Sequence, residues 1–264
     1  MPSAAYVSLF DDQAAAYHQF RPTYPPQLYQ VVLEYAQLAR QTICLDIATG
    51  QGQAAVELAK RFKQVIAIEP NAKQLQHVVK AENITYREGS AEATGMPSGS
   101  VNLVASAQAC HWFELDSFWV EVQRVLAPQG AFAIWGYDLP QVPGNEAATN
   151  VLWHMENVTL GPYWSDRRKL VTGHYRECMP KDGMFADVNH VELDSPLTLT
   201  VTQLVGWVST WSAYATYKRK HPDGPDPLPP FQKEFMDACG DVQEETYIHL
   251  ILPIFMLLGK QIAQ

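Results

Sequence analysis

The stretch Leu45-Asp46-Ile47-Ala48-Thr49-Gly50-Gln51-Gly52-Gln53 decides the fold of this chain. It begins as a short apolar strand, turns at two glycines and continues into a helical pattern. Glycine tolerates positive φ and lets a ligand approach the main chain. The turn follows the first predicted strand, at the sheet edge where open α/β folds bind nucleotides. The stretch therefore predicts a cofactor site on a Rossmann-like sheet.

Short apolar runs alternate with helical patterns from Thr42 to Tyr137, which is typical of a parallel sheet with helices on both faces. The predicted strands are 43–47, 65–69, 84–88, 101–107 and 131–137. The predicted helices include 53–62, 72–80 and 117–126, the last of them ended by Pro128 and Gly130. This region predicts a doubly wound, mostly parallel α/β sheet.

The alternation stops after Tyr137, and Pro, Gly, Trp and Tyr become frequent at 160–180 and 207–230. We interpret this part as a helical cap that contains a stiff, proline-rich loop at 221–230. The predicted domains are an N-terminal helical segment over the cofactor site (1–40), a Rossmann-like core (41–140), a cap or substrate insertion with an intervening core strand (141–240) and a C-terminal strand that returns to the sheet (241–264). Pro253 is expected at an edge or at the end of that last strand.

Composition and charge argue against several classes of partner. The 264 residues are 47% hydrophobic, which is enough for a sizeable core. The formal net charge of −9 opposes a phosphate backbone, so no nucleic-acid partner is expected. No apolar run reaches the roughly 20 residues that span a bilayer, and no signal sequence is visible. We therefore expect a cytoplasmic protein with a small-molecule substrate and no membrane partner.

Metal binding is also not expected. The cysteines are more than sixty residues apart, which suits reduced thiols better than metal ligands or a disulfide framework. They are Cys44, Cys110, Cys178 and Cys239. The eight histidines include no His-Glu-x-x-His pattern.

Two cofactor classes fit the glycine turn. The run 50–55 satisfies the dinucleotide fingerprint G-x-G-x-x-A, and Glu69 follows Gly50 by 19 residues, at the distance of a ribose-binding acid. S-adenosylmethionine is favoured because Asp46, inside an apolar strand, would attract a methionyl ammonium and repel a pyrophosphate. Glu69 suits the ribose of either cofactor. The run 89–92 follows the third strand, where an adenine edge would lie.

This whole run resembles the class I S-adenosylmethionine-dependent methyltransferases. Asp46 to Gly52 match the first motif, Glu69 the second and Ser90-Ala91-Glu92 the adenine loop, while 108–113 and 121–130 are similar to the later motifs. Ala48 stands where many members have their first glycine. The resemblance implies a seven-stranded sheet and S-adenosyl-L-methionine as cofactor. It implies the following cofactor-binding residues: Tyr17, Arg21, Asp46, Ala48, Gly50, Gly52, Glu69, Pro70, Ser90, Ala91, Glu92 and Gln108.

A narrower resemblance, to trans-aconitate-type methyltransferases of small carboxylic acids, involves the N-terminal segment and the cap. It is carried by Phe10-Asp11, Ala16-Tyr17, Arg21-Pro22, Tyr24-Pro25, Gly161-Pro162-Tyr163-Trp164 and 210–214. We expect Tyr17 and Arg21 to fold over the cofactor, with Arg21 paired to the methionyl carboxylate.

Methyl transfer from a sulfonium is an in-line displacement that needs orientation and exclusion of water. A carboxylic acid is ionised at neutral pH and needs no base, so O-methylation of such an acid is the first hypothesis. Arg176 is the predicted catalytic clamp, with Arg167 and Arg168 as further candidates. His111 is the predicted base for a hydroxyl acceptor.

Four alternatives remain open at this point. They are a C-methyltransferase or an N-methyltransferase of a small metabolite, an NAD-dependent oxidoreductase and a non-catalytic cofactor-binding protein.

Overall fold

The computed structural model of the chain describes residues 19–37 and 42–262. Its seven strands form one sheet in the order β3-β2-β1-β4-β5-β7-β6. The strands are β1 (Ile43–Ile47), β2 (Gln64–Glu69), β3 (Ile84–Glu88), β4 (Val101–Ala107), β5 (Leu126–Tyr137), β6 (Ala186–Thr200) and β7 (Tyr247–Lys260). The pairings of β7 with β5 and with β6 are antiparallel, and the other pairings are parallel. The predicted Rossmann-like, mostly parallel seven-stranded sheet is confirmed.

Eight α-helices surround this sheet in the described residues. They are α1 (Pro26–Ala36), α2 (Gln53–Ala59), α3 (Leu115–Val125), α4 (Glu146–His154), α5 (Arg168–Thr172), α6 (Val201–Ser209), α7 (Ser212–Lys220) and α8 (Leu228–Ala238). A π-helical turn, Met155–Thr159, continues α4. None of the helices in these ranges has the length and apolar character needed to cross a membrane.

Alternating side chains of β5 show how the sheet builds two cores. Ala133 and Trp135 belong to the core that faces α1, α2, α4, α6 and α8. Phe132 and Ile134 belong to the other core, under α3 and α5. Successive side chains of a strand point to opposite faces, so this central strand is apolar on both sides and reads as a continuous hydrophobic run.

The predicted helix 72–80 is wrong for most of its length, because only Gln74–His77 forms a single 3₁₀ turn. Backbone groups just beyond it bond to other elements. The Val79 N–H donates to the Gln51 carbonyl oxygen, and the Tyr86 hydroxyl donates to the Val79 carbonyl oxygen. These long-range bonds replace the helical ladder.

The expected edge or terminal position of Pro253 is also wrong, since this residue lies inside β7, between β5 and β6. β5 pairs with β7 as far as Tyr137, which lies opposite Ile254, the residue after Pro253. A strand residue directs its N–H and C=O to the same neighbour. The Pro253 carbonyl accepts from the Asp138 N–H, so its missing N–H faces the point where the β5 ladder has already ended.

Candidate active site

The glycine turn is held against the second strand by backbone bonds. Ala48, Gly50 and Gly52 all have positive φ, of 55°, 57° and 91°. The Thr49 N–H donates to the Ile68 carbonyl oxygen at 3.0 Å. A Cβ at Gly52 would overlap the Tyr86 hydroxyl, whereas a Cβ at Gly50 would meet nothing within 4 Å. Gly52 is therefore needed for close packing, and Gly50 leaves open space beside the main chain.

Two carboxylates are buried at this edge of the sheet, Asp46 on β1 and Glu69 at the end of β2, each 1% exposed. One Asp46 oxygen accepts from the Thr49 hydroxyl at 2.6 Å, while its Oδ1 has no hydrogen-bond partner among the described residues. Glu69 accepts from the N–H groups of Gly50 and Asn71 at 3.0 and 3.1 Å. Burial raises the pKa of each acid to about 7, and for Asp46 the nearby Glu69 adds to the rise.

Three adjoining clefts lie along this edge. The first, which we call the cofactor groove, encloses about 670 Å³ and is lined by Asp46, Ala48, Gly50, Glu69, Gln108 and further residues of the same loops. The second, the adenine pocket, is lined by Ala48, Pro70, Ser90, Ala91, Glu92, Trp112 and Phe113. The third, the acceptor cleft, has a volume of about 700 Å³, which includes space open to solvent, and is lined in part by residues of the predicted cap.

The loop after β4 joins the three clefts. Trp112 lines all of them, and Gln108 lines both the cofactor groove and the acceptor cleft. Gln108 has a φ of 53°, and its side-chain amide pairs with the Tyr137 backbone, accepting from the N–H at 2.9 Å and donating to the carbonyl at 3.2 Å. This bidentate pairing fixes Gln108 in the wall that the cofactor groove shares with the acceptor cleft.

The acceptor cleft combines an aromatic wall with charged groups from separate segments. Its aromatic side chains are Trp112, Tyr137, Trp164, Trp207 and Trp211. Its charged groups are Arg21, Asp138, Glu156 and Arg168. Arg21 donates to the Tyr137 hydroxyl at 2.7 Å and to the Thr210 carbonyl at 3.0 Å, so one guanidinium connects the N-terminal segment, the sheet and the cap.

Arg168 is the centre of an ion-pair network in this cleft. It bonds to Glu156 and lies 3.4 Å from Asp138, with its guanidinium over the Trp164 ring. Burial raises the pKa of Glu156, an effect that Arg168 opposes. His174 approaches the other Asp138 oxygen at 3.3 Å. Both acids are therefore already engaged by basic groups of the chain.

His111 lies in the wall of the acceptor cleft and is 9% exposed. Its Nδ1 is 2.9 Å from the hydroxyl of Tyr175, which is fully buried. Burial, assisted by the positive charges of Arg168, Arg167 and Arg21, lowers the pKa of His111 to about 3. At neutral pH the imidazole is uncharged and is a weak base.

The predicted site residues separate into groups in the structure. Nine of the twelve predicted cofactor residues line the groove or the adenine pocket: Asp46, Ala48, Gly50, Glu69, Pro70, Ser90, Ala91, Glu92 and Gln108. Gly52 caps α2 beside them. Arg21 lies in the acceptor cleft rather than in the groove. Tyr17 is outside the described residues.

The predicted catalytic pair is not brought together. His111 lines the acceptor cleft, but Arg176 does not: its side chain is 62% exposed and pairs with Glu192 at 2.7 Å. Arg167 donates to the backbone carbonyls of His111 and Phe113 and so braces the loop after β4. Of the three candidate arginines, Arg168 is the one in the acceptor cleft.

Sequence reasoning missed several lining residues. In the groove these are Tyr24, Asn71 and Gln74, and in the acceptor cleft Asp138 and Glu156. Asn71 and Asp138 each come one or two residues after a strand that ends at this edge, and that position was a usable signal. Glu156 had no such signal in the sequence, because it does not follow a strand and lies on a π-helical turn, Met155–Thr159.

The geometry fits a cationic nucleoside cofactor. The partnerless Oδ1 of Asp46 is an acceptor for an ammonium group, and the open space at Gly50 allows close approach. Glu69 is placed to accept from ribose hydroxyls. No group of three or more His, Cys, Asp or Glu side chains in residues 19–37 and 42–262 could hold a metal ion.

Comparison with known proteins also indicates a protein that uses S-adenosylmethionine. A model of the methyltransferase domain matches residues 45–134. A Dictyostelium discoideum protein named as a methyltransferase is 33% identical, with 96% of each chain covered. A Saccharomyces cerevisiae protein named as an S-adenosylmethionine-dependent methyltransferase is 25% identical over 90% of this chain and 92% of its own length. The solved structure of a protein named as a type II methyltransferase from Anaeromyxobacter dehalogenans is 31% identical, with a TM-score of 0.80 over 93% of this chain and 100% of that one.

These relatives are named as methyltransferases and span nearly the whole chain, and the buried Asp46 opposes a pyrophosphate. The nicotinamide-dependent and non-catalytic alternatives are set aside. The chain belongs to the class I S-adenosylmethionine-dependent methyltransferases, with S-adenosylmethionine as its methyl donor.

Proposed function

We propose that the chain methylates an oxygen of a small organic acid bound in the acceptor cleft. One observation carries this proposal: the cleft adjoins the cofactor groove at Gln108 and Trp112, and among its described residues it holds two arginines and no acid or histidine that is available as a base. His111 has a pKa of about 3, and Asp138 and Glu156 are bonded to Arg168. The acceptor must therefore be nucleophilic without help, as a carboxylate is at neutral pH.

S-adenosylmethionine supplies an electrophilic methyl group when bound. The chain's own residues have the tasks of orientation and exclusion of water. The aromatic wall encloses the cleft, and Gln108 and Trp112 set the boundary across which the acceptor oxygen faces the donor. Arg21 is the candidate that we choose to bind the acid, because its guanidinium lines the cleft and is fixed there by hydrogen bonds to the Tyr137 hydroxyl and the Thr210 carbonyl.

N-methylation is a second candidate with one observation in its favour. Asp138 and Glu156 line the cleft and would attract an amine in its ammonium form, which must lose a proton to one of these acids or to solvent before its nitrogen can attack the methyl group. The same fold occurs in a Haemonchus contortus phosphoethanolamine N-methyltransferase solved with phosphomonomethylethanolamine, at a TM-score of 0.54 and 14% identity. The narrower resemblance to trans-aconitate-type enzymes favours the acid.

A methyl-transfer screen separates the two. The purified chain is incubated with S-adenosylmethionine labelled on its methyl group and with matched panels of carboxylic acids, phenols and primary amines of similar size. Turnover of acids, with release of label on mild alkaline hydrolysis of the methyl ester, is the expected result. Turnover confined to amines contradicts the proposal.

Two arginine variants then locate the acid. Arg21→Gln is expected to raise the acceptor KM about 10- to 100-fold with little change in the cofactor KM, because a charge-assisted bond is lost. Arg176→Gln is the matched control outside the cleft, and we expect it to retain normal kinetics. If Arg176→Gln raises the acceptor KM and Arg21→Gln does not, Arg176 binds the acid, as the sequence predicted.

A further inference from the structure

The Tyr175 hydroxyl fixes where the His111 ring carries its proton. Tyr175 is completely buried, and the described residues offer its hydroxyl one side-chain hydrogen-bond partner, Nδ1 of His111 at 2.9 Å. A buried hydroxyl proton needs an acceptor. Since this ring nitrogen is that acceptor, it is unprotonated, and a neutral imidazole then carries its hydrogen on Nε2.

The surroundings keep the ring neutral. Arg21, Arg167 and Arg168 all oppose a positive charge on His111, and burial does the same. Cys110 and Cys178 both act electrostatically on Tyr175, and burial keeps the Cys110 thiol protonated by raising its pKa well above the usual value. Among the described residues, the side-chain hydrogen bond of the His111 ring is the one to the neutral Tyr175 hydroxyl, not to a carboxylate.

The backbone holds Tyr175 rigidly in place. His174 and Tyr175 both have positive φ, of 51° and 57°, which is costly for residues other than glycine. The Tyr175 N–H donates to the Leu170 carbonyl at 2.8 Å, and its ring packs edge-on against Phe255. Backbone strain of this kind indicates a position that the surrounding structure enforces.

The two residues differ in their access to ligand. His111 lines the acceptor cleft, whereas Tyr175 does not. Because Nδ1 is occupied from the buried side, Nε2–H is the polar group that His111 can offer to the cleft.

We propose that His111 is a fixed hydrogen-bond donor to an oxygen of the methyl acceptor, and that Tyr175 is the positioning residue that selects the donating tautomer. The proposal rests on the proposed function in that the acceptor carries an oxygen. A carboxylate bound through one oxygen to Nε2–H keeps the other oxygen free for in-line attack. His111 then orients the acceptor and is not a general base.

Nuclear magnetic resonance tests the tautomer without any substrate. The chain is labelled with ¹⁵N in the histidine rings, and His111 is assigned by the loss of its signals in His111→Gln. Long-range proton–nitrogen correlations at neutral pH are expected to show a protonated Nε2 and a bare Nδ1, with no titration between pH 5 and 8. In Tyr175→Phe a mixture of tautomers is expected. A protonated Nδ1 or a titration near pH 6.5 in the wild type overturns the inference, whether or not a substrate has been found.

Paired substitutions test the donor role once an acceptor is known. The amide nitrogen of Gln can reach the position of Nε2, whereas that of Asn is nearer to Nδ1. His111→Gln is expected to retain kcat/KM within about tenfold, and His111→Asn to lose about 100-fold, as for a lost hydrogen bond to a charged group. Tyr175→Phe is expected to raise the acceptor KM and leave the cofactor KM unchanged. Equal losses in the Gln and Asn variants would overturn the donor role while leaving methyl transfer to an acid intact.

Discussion

The buried acids at the ends of β1 and β2 set the electrostatics of the cofactor groove. Burial raises the pKa of both Asp46 and Glu69 to about 7, so without a ligand the protonated form of each acid is populated near neutral pH. A cofactor with a positive charge and donating ribose hydroxyls favours their ionised forms.

Cofactor binding is therefore expected to release protons. S-adenosylmethionine is titrated into the wild type at pH 7 in a calorimeter, in buffers of different ionisation enthalpy. The dependence of the binding heat on the buffer should correspond to release of about one proton per bound cofactor. In Asp46→Asn fewer protons should be released, because only Glu69 then loses a proton when the cofactor binds. Binding heats that do not depend on the buffer would contradict this account.

Ala48 carries backbone strain in the glycine turn. Its φ of 55° lies in the left-handed region, which is costly for a residue with a Cβ. We expect Ala48→Gly to raise the free energy of unfolding by about 1 kcal/mol. The matched control is Ala54→Gly in α2, where a glycine should lower it by about 1 kcal/mol. Urea unfolding measures both, and a destabilised Ala48→Gly would show that the turn is not strained.

At the scale of elements, α3 anchors the loop that forms the adenine pocket. Glu121 accepts from the N–H and hydroxyl of Thr94 at 2.8 and 2.6 Å and from Arg124 at 2.7 Å. Arg124 also donates to the Met96 carbonyl. Burial alone would raise the pKa of Glu121, but these bonds outweigh it, and the pKa lies below its usual value.

Glu121→Gln is expected to destabilise the fold by about 2 kcal/mol at pH 7, because charge-assisted bonds are lost. A lowered folded-state pKa stabilises the fold above the unfolded-state value near 4.5, and this stabilisation disappears as pH falls through the folded-state pKa. The difference in the free energy of unfolding between the wild type and Glu121→Gln should thus become smaller from pH 6 to pH 3. Urea unfolding across this range tests it, and a constant gap would contradict the charge-based explanation.

The strands of the core were predictable because buried parallel strands are continuous apolar runs. The predicted bounds 43–47, 84–88 and 101–107 agree with β1, β3 and β4. The start of β5 was missed because Leu126 to Gly130 includes proline and glycine, which normally interrupt strands. Bounds for β6 could not be given, since this edge strand is half exposed and contains Pro196.

At the scale of the whole molecule, the groove was predictable and the acceptor cleft was not. The groove is built from loops that directly follow β1, β2 and β4, so position in the sequence indicates it. The cleft brings together Arg21, His111, Asp138, Glu156 and Arg168, which belong to distant segments. Their meeting depends on how the cap packs, and no local pattern encodes it.

The acids of the groove also affect the stability of the entire fold. The pKa of Asp46 rises from 3.8 to about 7 on folding, so the folded state binds the extra proton. The free energy of unfolding without ligand should therefore fall as pH rises from about 4 to 7, by an amount on the order of a few kcal/mol from this group. Asparagine imitates the protonated acid and removes this dependence.

Asp46→Asn should accordingly match the wild type near pH 4 and become the more stable protein by pH 7, while it binds S-adenosylmethionine more weakly. Urea unfolding of the ligand-free proteins at one-unit steps from pH 4 to 8 measures the divergence. Asp116→Asn is the control, because the Asp116 side chain is 83% exposed and should leave the pH dependence unchanged. If Asp46→Asn is instead the less stable protein at pH 8, the ionised Asp46 stabilises the fold. The buried charge would then not be unfavourable without ligand, and a cationic donor would not be needed to offset it.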